Sequence, residues 1–241
     1  MLRYVRAAFR FVTNGHYRST WILRWRRPRN LFQLSNMTWT DRYPAVFRMA
    51  REKLGNAADV RLLSFGCATG EEVFTLRKYF PNAWIKGIDI NPHNIAACQR
   101  RLAKNSDPKI TFELADTVMS EPDGTYDAVF CMAVFRRGEL ADPLYSQCDR
   151  LIRFADFCGM VDEIARRLKP GGLLNIIHAN FRFRDTPTAD KFELVFRMNP
   201  APGGKHFTPI FDRENRRTGD VNSDEVMFQK MPVTIRENSG K

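Results

Sequence analysis

A glycine-bearing loop between an apolar run and a helix-like segment has the residue types of a ligand site. The loop, residues 65–71, reads Phe-Gly-Cys-Ala-Thr-Gly-Glu and closes the apolar run 60–65. Gly66 and Gly70 lack side chains where a ligand could approach the backbone. A second apolar run ends at Asp89, whose carboxylate could accept hydrogen bonds from both hydroxyls of a ribose. Loop and acid together predict a site for a nucleotide-like cofactor.

Two glutamates at the end of the loop indicate which kind of cofactor the site would hold. A dinucleotide would place its pyrophosphate at the start of the following helix, where Glu71 and Glu72 would repel it. The Gly-x-Gly-x-x-Gly spacing of dinucleotide sites is also absent from the loop. S-adenosylmethionine (SAM) carries a sulfonium and an ammonium group and no phosphate, so acidic groups suit it. Alternatively, the two glutamates are first-turn acids that face water and favour the helix electrostatically.

Three polar residues beyond the loop could act on a substrate. His178 ends the fifth predicted strand and is a candidate general base or substrate contact. Arg136 and Arg137 follow the fourth strand and could hold an acidic acceptor through paired hydrogen bonds. Equally, His178 could be a strand-end histidine with its hydrogen bonds satisfied, and the arginines could be solvated. His206 lies in a C-terminal loop and could belong to a lid. No metal site is expected, because the four histidines are scattered and none pairs with a cysteine at ligand spacing.

Alternating strand and helix patterns predict the elements that would position these residues. Strands are predicted over 60–65, 84–90, 110–114, 126–133 and 173–178. Helices are predicted over 41–54, 71–79, 92–104 and 144–168, and Gly159 could interrupt the last of them. Residues 169–172 read as a turn, and 192–198 and 225–230 as two further strands. This order predicts an α/β fold with a mostly parallel sheet flanked by helices.

The positive charge is concentrated at the N-terminus. The 241-residue chain has a formal net charge of +11, and residues 1–40 hold eight arginines and no acid. We therefore divide the chain into a basic, aromatic arm and helix over 1–54 and a domain over 55–241. The arm could fold over the site as a lid, bind an anionic membrane surface or bind nucleic acid, in that order of preference. The nearly balanced charge of the domain argues against an extensive nucleic-acid footprint.

The sequence also favours a cytoplasmic protein. No apolar run approaches the roughly 20 residues of a membrane span. Arginines interrupt the run from Leu2 to Val12, so a secretory signal is not expected. An acid-free, arginine-rich start also fits a mitochondrial transit peptide, which the tryptophans and phenylalanines of the arm make the less favoured interpretation. Five cysteines without a pairing pattern predict reduced thiols.

Several segments in register resemble the class I SAM-dependent methyltransferases. The matching segments are LLSFGCATGEE (62–72), GIDINP (87–92), LAD (114–116), YDAVFCMA (126–133) and LKPGGL (168–173). The resemblance implies a Rossmann-like sheet of seven strands, whose antiparallel strand residues 225–230 could supply, and SAM as the cofactor. It implies that residues 66–70 wrap the methionine part, while Asp89 holds the ribose and Ile90 packs on the adenine. The full set of implied cofactor contacts is Phe65, Gly66, Cys67, Ala68, Thr69, Gly70, Glu71, Asp89, Ile90, Asp116, Thr117, Cys131, Met132 and Ala133.

The resemblance predicts methyl transfer from SAM, and the acceptor stays open. The first expectation is a small-molecule acceptor methylated at oxygen or nitrogen. The loop Gly-Cys-x-Thr-Gly-Glu-Glu is similar to that of chemotaxis receptor methyltransferases, which makes methylation of a protein carboxylate the alternative. Met132 and Ala133 depart from the Arg-Asn that follows the cysteine in those enzymes, and the arm is too short for their docking domain. A non-catalytic SAM-binding subunit is the third expectation, and a nicotinamide oxidoreductase an outside one.

Overall fold

Five parallel strands form the centre of the sheet. The computed structural model describes residues 2–55, 57–198 and 207–232. The strands are β1 (Arg61–Phe65), β2 (Trp84–Asp89), β3 (Ile110–Leu114), β4 (Tyr126–Met132) and β5 (Leu168–Ile177). They lie side by side in the order β3-β2-β1-β4-β5, and each neighbouring pair is parallel. The central β1 and β4 are almost continuously buried, as strands covered by helices on both faces must be.

Two later strands extend the sheet and confirm the predicted fold class. The last strand, β9 (Glu225–Lys230), pairs antiparallel with β5 and with β6 (Phe192–Arg197). The described residues thus form a mostly parallel, Rossmann-like sheet of seven strands in the order β3-β2-β1-β4-β5-β9-β6. Both strands were predicted, and so was the antiparallel direction of β9. A separate hairpin of β7 (Pro209–Phe211) and β8 (Arg217–Val221) was not.

Four helices flank the sheet, and each begins or ends where the sequence provides the signal. They are α3 (Pro44–Leu54), α4 (Glu71–Tyr79), α5 (Pro92–Asn105) and α6 (Phe154–Arg167). Asn91 caps α5, because its side-chain oxygen accepts a hydrogen bond from the backbone N–H of His93 at 3.0 Å. Helix α6 continues unbroken through Gly159 and buries Phe157, Val161 and Ile164 at helical spacing.

The predicted helix over 144–168 is wrong for its first ten residues. Leu144 is 88% exposed, and the segment before Phe154 forms turns. Its backbone groups bond to the distant β8 region instead. The backbone oxygen of Asn215 accepts from the Cys148 N–H at 3.0 Å, and Arg217 donates to the Tyr145 carbonyl at 2.8 Å. These partners are far away in the sequence, so periodicity could not reveal them.

The prediction of a separate turn over 169–172 is also wrong. It belongs to β5, which begins at Leu168 and carries an irregularity in its pairing with β4. Gly171 adopts a φ of +78° there, as a bulged strand allows. The Lys169 ammonium lies 2.8 Å from the Asp127 carboxylate and ties the start of β5 to β4.

The N-terminal arm contains two helices and then crosses the carboxyl edge of the sheet. The helices are α1 (Leu2–Thr13) and α2 (Gly15–Arg26). After α2, the buried Phe32 packs against Phe135 with ring centroids 5.1 Å apart, and the Gln33 side chain donates to the Ala133 carbonyl at 3.3 Å. The arm therefore lies over the loops that follow β4. Within the described part of the chain, no helix has the length and apolar character needed to cross a membrane.

Candidate cofactor and acceptor site

A cavity of about 380 Å³ lies between the carboxyl edge of the sheet and the arm. The sheet side contributes residues that follow β1, β2, β3 and β4, namely Gly66, Ala68, Ile90, Asp116, Met132 and Val134. The arm side contributes Gln33, Asn36, Met37, Trp39, Arg42 and Tyr43. This edge is where open α/β sheets bind ligands, because the loops leaving parallel strands meet there.

The loop after β1 is held close to β2, and its first glycine packs closely against Val134. The backbone N–H groups of Gly66 and Cys67 both donate to the Ile88 carbonyl at 2.9 Å. Gly66 has a φ of +76°, and a Cβ at this position would lie 2.6 Å from the Val134 side chain. Any larger residue would therefore both strain the backbone and clash with Val134, which lines the cavity.

Asp89 organises the loop from the end of β2. Its carboxylate accepts hydrogen bonds from the backbone N–H of Ala68 at 2.9 Å, the backbone N–H of Asn91 at 2.8 Å and the Asn94 amide at 3.1 Å. Burial raises the pKa of Asp89 above its ordinary value, and the three donors act in the opposite direction. Its Oδ2 atom accepts one of these bonds and keeps a second acceptor position.

The two glutamates at the start of α4 point to different places. Glu71 accepts from the Thr69 hydroxyl at 2.6 Å and from Arg101 at 2.7 Å, and it is not part of the cavity lining. Glu72 lines the cavity and accepts from the Ser64 hydroxyl at 2.7 Å. Burial raises the pKa of Glu72 to about 8, against the smaller opposing effects of Ser64 and Arg42.

The other predicted cofactor contacts divide into those on the cavity wall and those behind it. Phe65, Cys67, Ile90, Asp116, Met132 and Ala133 line the cavity. Cys131 is fully buried in β4, and the loop residues Thr69 and Gly70 are not part of the cavity lining. The Thr117 hydroxyl donates to Glu163 at 2.5 Å and is likewise outside the lining.

The structure does not bring the predicted acceptor residues together. Arg136 lines the cavity, whereas Arg137 lies in a second groove and donates to the Leu31 carbonyl of the arm at 2.5 Å. Consecutive arginines in extended backbone point to opposite sides, so they cannot hold one acceptor as a pair. His178 lies behind Tyr43, with ring centroids 5.9 Å apart, and is not part of the cavity lining. His206 lies outside the described residues.

Sequence reasoning missed the residues that the arm contributes to the cavity. Trp39, Arg42 and Tyr43 form much of its outer wall. The Arg42 guanidinium lies 4.3 Å from the Trp39 ring centre and 5.0 Å from that of Tyr43. The available signal was an acid-free segment with interleaved aromatic residues, which suggested a lid without naming its contacts.

Comparison with known proteins identifies the family. Residues 56–215 match a family model described as a methyltransferase domain. The chain belongs to this family. The family is that of the class I SAM-dependent methyltransferases, whose cofactor is SAM.

The relatives of this methyltransferase share only part of their length with it. Trans-aconitate 2-methyltransferase of Methylobacterium nodulans is 29% identical over 133 residues, covering 55% of this chain and 43% of the relative. Demethylmenaquinone methyltransferase of Thermus thermophilus is 28% identical over 142 residues, covering 58% and 54%. Phosphoethanolamine N-methyltransferase 2 of Haemonchus contortus, solved with SAM, has 17% identity and a TM-score of 0.44, covering 69% of this chain and 34% of that one. The chain thus spans about half the length of the curated relatives it matches.

Proposed function

We propose that this methyltransferase transfers the methyl group of SAM to an oxygen or nitrogen atom of a small molecule. The observation that carries the proposal is the cavity, which combines an acid-lined cofactor wall with an outer wall supplied by the arm. Its volume of about 380 Å³ is in the range of small-molecule sites. The names of the relatives, which include an aconitate and a menaquinone methyltransferase, support a small-molecule acceptor.

The residues of the cofactor wall fit SAM. Gly66 keeps the loop backbone close to Val134 on the cavity wall, where a Cβ would clash, and the free acceptor position of Asp89 suits a ribose hydroxyl. Ile90 and Asp116 would hold the adenine, and Met132 and Ala133 would lie near the sulfonium. Glu72 would accept from the ammonium group, which favours the charged form of its carboxyl. SAM supplies an activated methyl group when it is bound.

The contribution of the chain is alignment and exclusion of water. Transfer needs the acceptor atom in line with the methyl carbon and the sulfur, so positioning provides most of the rate increase. The aromatic outer wall of Trp39 and Tyr43 would exclude water from the reacting atoms. A base is needed only for a protonated acceptor. His178 contacts Tyr43 and would act by positioning that ring.

Calorimetry and isotope transfer test the proposal in sequence. Purified chain should bind SAM and S-adenosylhomocysteine and should not bind NADH. Asp89→Asn should weaken SAM binding by at least about tenfold, because the site loses a charge-assisted acceptor. Labelled SAM should then methylate a low-molecular-weight acceptor. NADH binding in place of SAM would overturn the assignment. Base-labile label on protein would indicate carboxyl methylation, and binding without turnover a non-catalytic subunit.

A further inference from the structure

Three hydrogen-bond donors meet in the outer part of the cavity. Tyr43 is only 7% exposed, and its buried hydroxyl has no hydrogen-bond partner among the described residues. The buried Nε of Arg136 likewise has no partner there, although the same guanidinium donates to the Phe207 carbonyl at 3.2 Å. Both side chains line the cavity beside Arg42. Buried donors without acceptors are rare and costly, so they indicate a ligand that supplies the acceptor.

The positive charges around these donors also favour binding of an anion. Burial lowers the pKa of Arg136, and repulsion by the Arg42 guanidinium lowers it further. Glu72 is the acid of the cavity lining that lies near them, and its raised pKa of about 8 leaves it largely uncharged at neutral pH. When the cofactor is bound, an ionised Glu72 would be matched by the cofactor ammonium group, so Arg42 and Arg136 still lack a compensating negative charge, and a bound oxyanion would supply it.

The donors lie on the acceptor side of the site. Asp89 and Asp116, which would hold the nucleoside, follow β2 and β3. Arg136 follows β4, and Tyr43 contacts His178 after β5. Because the sheet order is β3-β2-β1-β4-β5, β1 separates the two groups of residues. The donors thus face the part of the cavity beyond the nucleoside.

We propose that Arg42, Tyr43 and Arg136 bind an oxyanion of the methyl acceptor, so that the substrate is a small carboxylate or phosphate compound. This rests on the proposed function and adds the substrate class to it. Arg42 donates to the Met37 carbonyl at 2.8 Å through one nitrogen. The other N–H groups of its guanidinium are left to bind the anion. The Tyr43 hydroxyl adds a neutral donor to the two guanidinium groups.

The test measures acceptor binding to protein already saturated with S-adenosylhomocysteine. The probes are a panel of small mono-, di- and tricarboxylic acids that includes trans-aconitate, their primary amides, and inorganic phosphate, each titrated by calorimetry. We expect at least one acid or phosphate to bind, and the matching amide of a binding acid to bind at least about tenfold more weakly. Arg136→Met should weaken binding of the anion by about 10- to 100-fold, and Tyr43→Phe by about 3- to 10-fold. Arg100→Met, an exposed arginine on α5, is the matched control and should change nothing.

Three outcomes would overturn the oxyanion site while leaving the proposed function intact. One is that acids and their amides bind equally well. Another is that no anion of the panel binds while S-adenosylhomocysteine does. The third is that Arg136→Met weakens S-adenosylhomocysteine binding as much as acid binding, which would assign the donors to the carboxylate of the cofactor. Failure of the protein to bind SAM at all would instead refute the proposed function. Thermal unfolding of Tyr43→Phe, which removes one oxygen, verifies that losses are not due to misfolding.

Discussion

The two glutamates at the start of α4 have different environments, so one of them can stabilise the loop while the other faces a ligand. Successive residues of a helix project about 100° apart. Glu71 consequently pairs with Arg101 outside the cavity, while Glu72 lines the cavity and accepts from the buried Ser64 hydroxyl of β1. The sequence suggested acids for a cationic ligand but did not show which of the two would face the cavity. That distinction depends on the direction in which α4 leaves the loop.

The raised pKa of Glu72 predicts a pH dependence of SAM binding. The ordinary pKa of the carboxyl is 4.5 and its folded value is about 8, so at pH 6 the group is protonated in the free protein. A cation binds the ionised form more tightly, so binding must release this proton. SAM affinity should therefore rise from pH 6 to about pH 8, by up to about tenfold per pH unit, and then level off. Calorimetry in buffers of different ionisation enthalpy measures both the affinity and the released proton.

Glu72→Gln is the control for this prediction. A carboxamide does not titrate, so the variant should lose the part of the pH dependence that comes from position 72. The ammonium group of SAM also titrates near pH 8, so the two proteins are compared between about pH 6 and pH 7, where this group stays charged. The difference between the two profiles is thus the measured quantity. Superimposable profiles would contradict the assignment of Glu72 to the cofactor wall.

Gly66 is the residue of the loop whose replacement should damage the site most directly. In Gly66→Ala the new Cβ would meet Val134 at 2.6 Å, and the φ of +76° would be strained by about 1–2 kcal/mol. SAM binding should weaken by at least about tenfold. Gly159→Ala in α6 is the matched control, since nothing lies within 4 Å of its Cβ and alanine suits a helix. Equal SAM affinity of both variants and the parent would exclude close approach of the cofactor to Gly66.

At the scale of elements, the start of α6 depends on a residue some 60 positions away. The backbone N–H of Phe154 donates to the Asn215 side chain at 2.7 Å, so this distant asparagine serves as the cap. Asn215 itself has a φ of 66°, a conformation that asparagine tolerates better than most residues. The start of the helix is therefore fixed by the turn between β7 and β8, and its N-terminal boundary depends on tertiary structure.

Replacing Asn215 should reveal both of its roles. Asn215→Ala should lower the free energy of unfolding by about 2–3 kcal/mol, because it removes the cap and strains the backbone. Asn215→Gly should cost less, since glycine loses the cap but accepts the positive φ. Urea unfolding of both variants measures the difference. Asn105→Ala at the exposed end of α5 is the control. If glycine were as destabilising as alanine, backbone strain would have no part in the effect.

Helix α1 presents an apolar face that the rest of the described chain does not cover. Val5, Phe9 and Val12 recur at helical spacing and are each more than 60% exposed, and Arg6 and Arg10 accompany them without any acid. We expect the protein to sediment with vesicles containing phosphatidylserine more than with neutral vesicles, and less so at high salt. Phe9→Asp should abolish the association, whereas Leu144→Asp, also at an exposed apolar residue, should not. Association that survives Phe9→Asp would exclude α1 as the contact.

At the scale of the molecule, the sequence predicted the sheet and its helices better than it predicted where the arm lies on them. The sheet follows from local signals, because each parallel strand is an apolar run and each βα corner has its own turn residues. The covering segment has no such periodicity. Its position comes from single long-range contacts, such as Arg137 with the Leu31 carbonyl and Asn36 with Asn94 at 3.2 Å. This is why Arg42 and Tyr43 could not be assigned to the site from the sequence.

We expect the arm to contribute to catalysis, and two truncations separate the contributions of its parts. Removal of residues 1–30 deletes α2, which supplies Leu23 to the cavity and contacts α5 through His16 and His93, with ring centroids 5.9 Å apart. Turnover should fall by about 100-fold or more, since the acceptor loses its alignment. The affinity for SAM should change by less than about tenfold, because its main contacts lie on the sheet side. Removal of residues 1–13 deletes only α1, which lines no part of the cavity, and should leave both quantities unchanged. If the two truncated proteins had equal turnover, the segment after α2 would keep its position in the absence of α2. Residues 31–43 alone would then form the outer wall of the cavity.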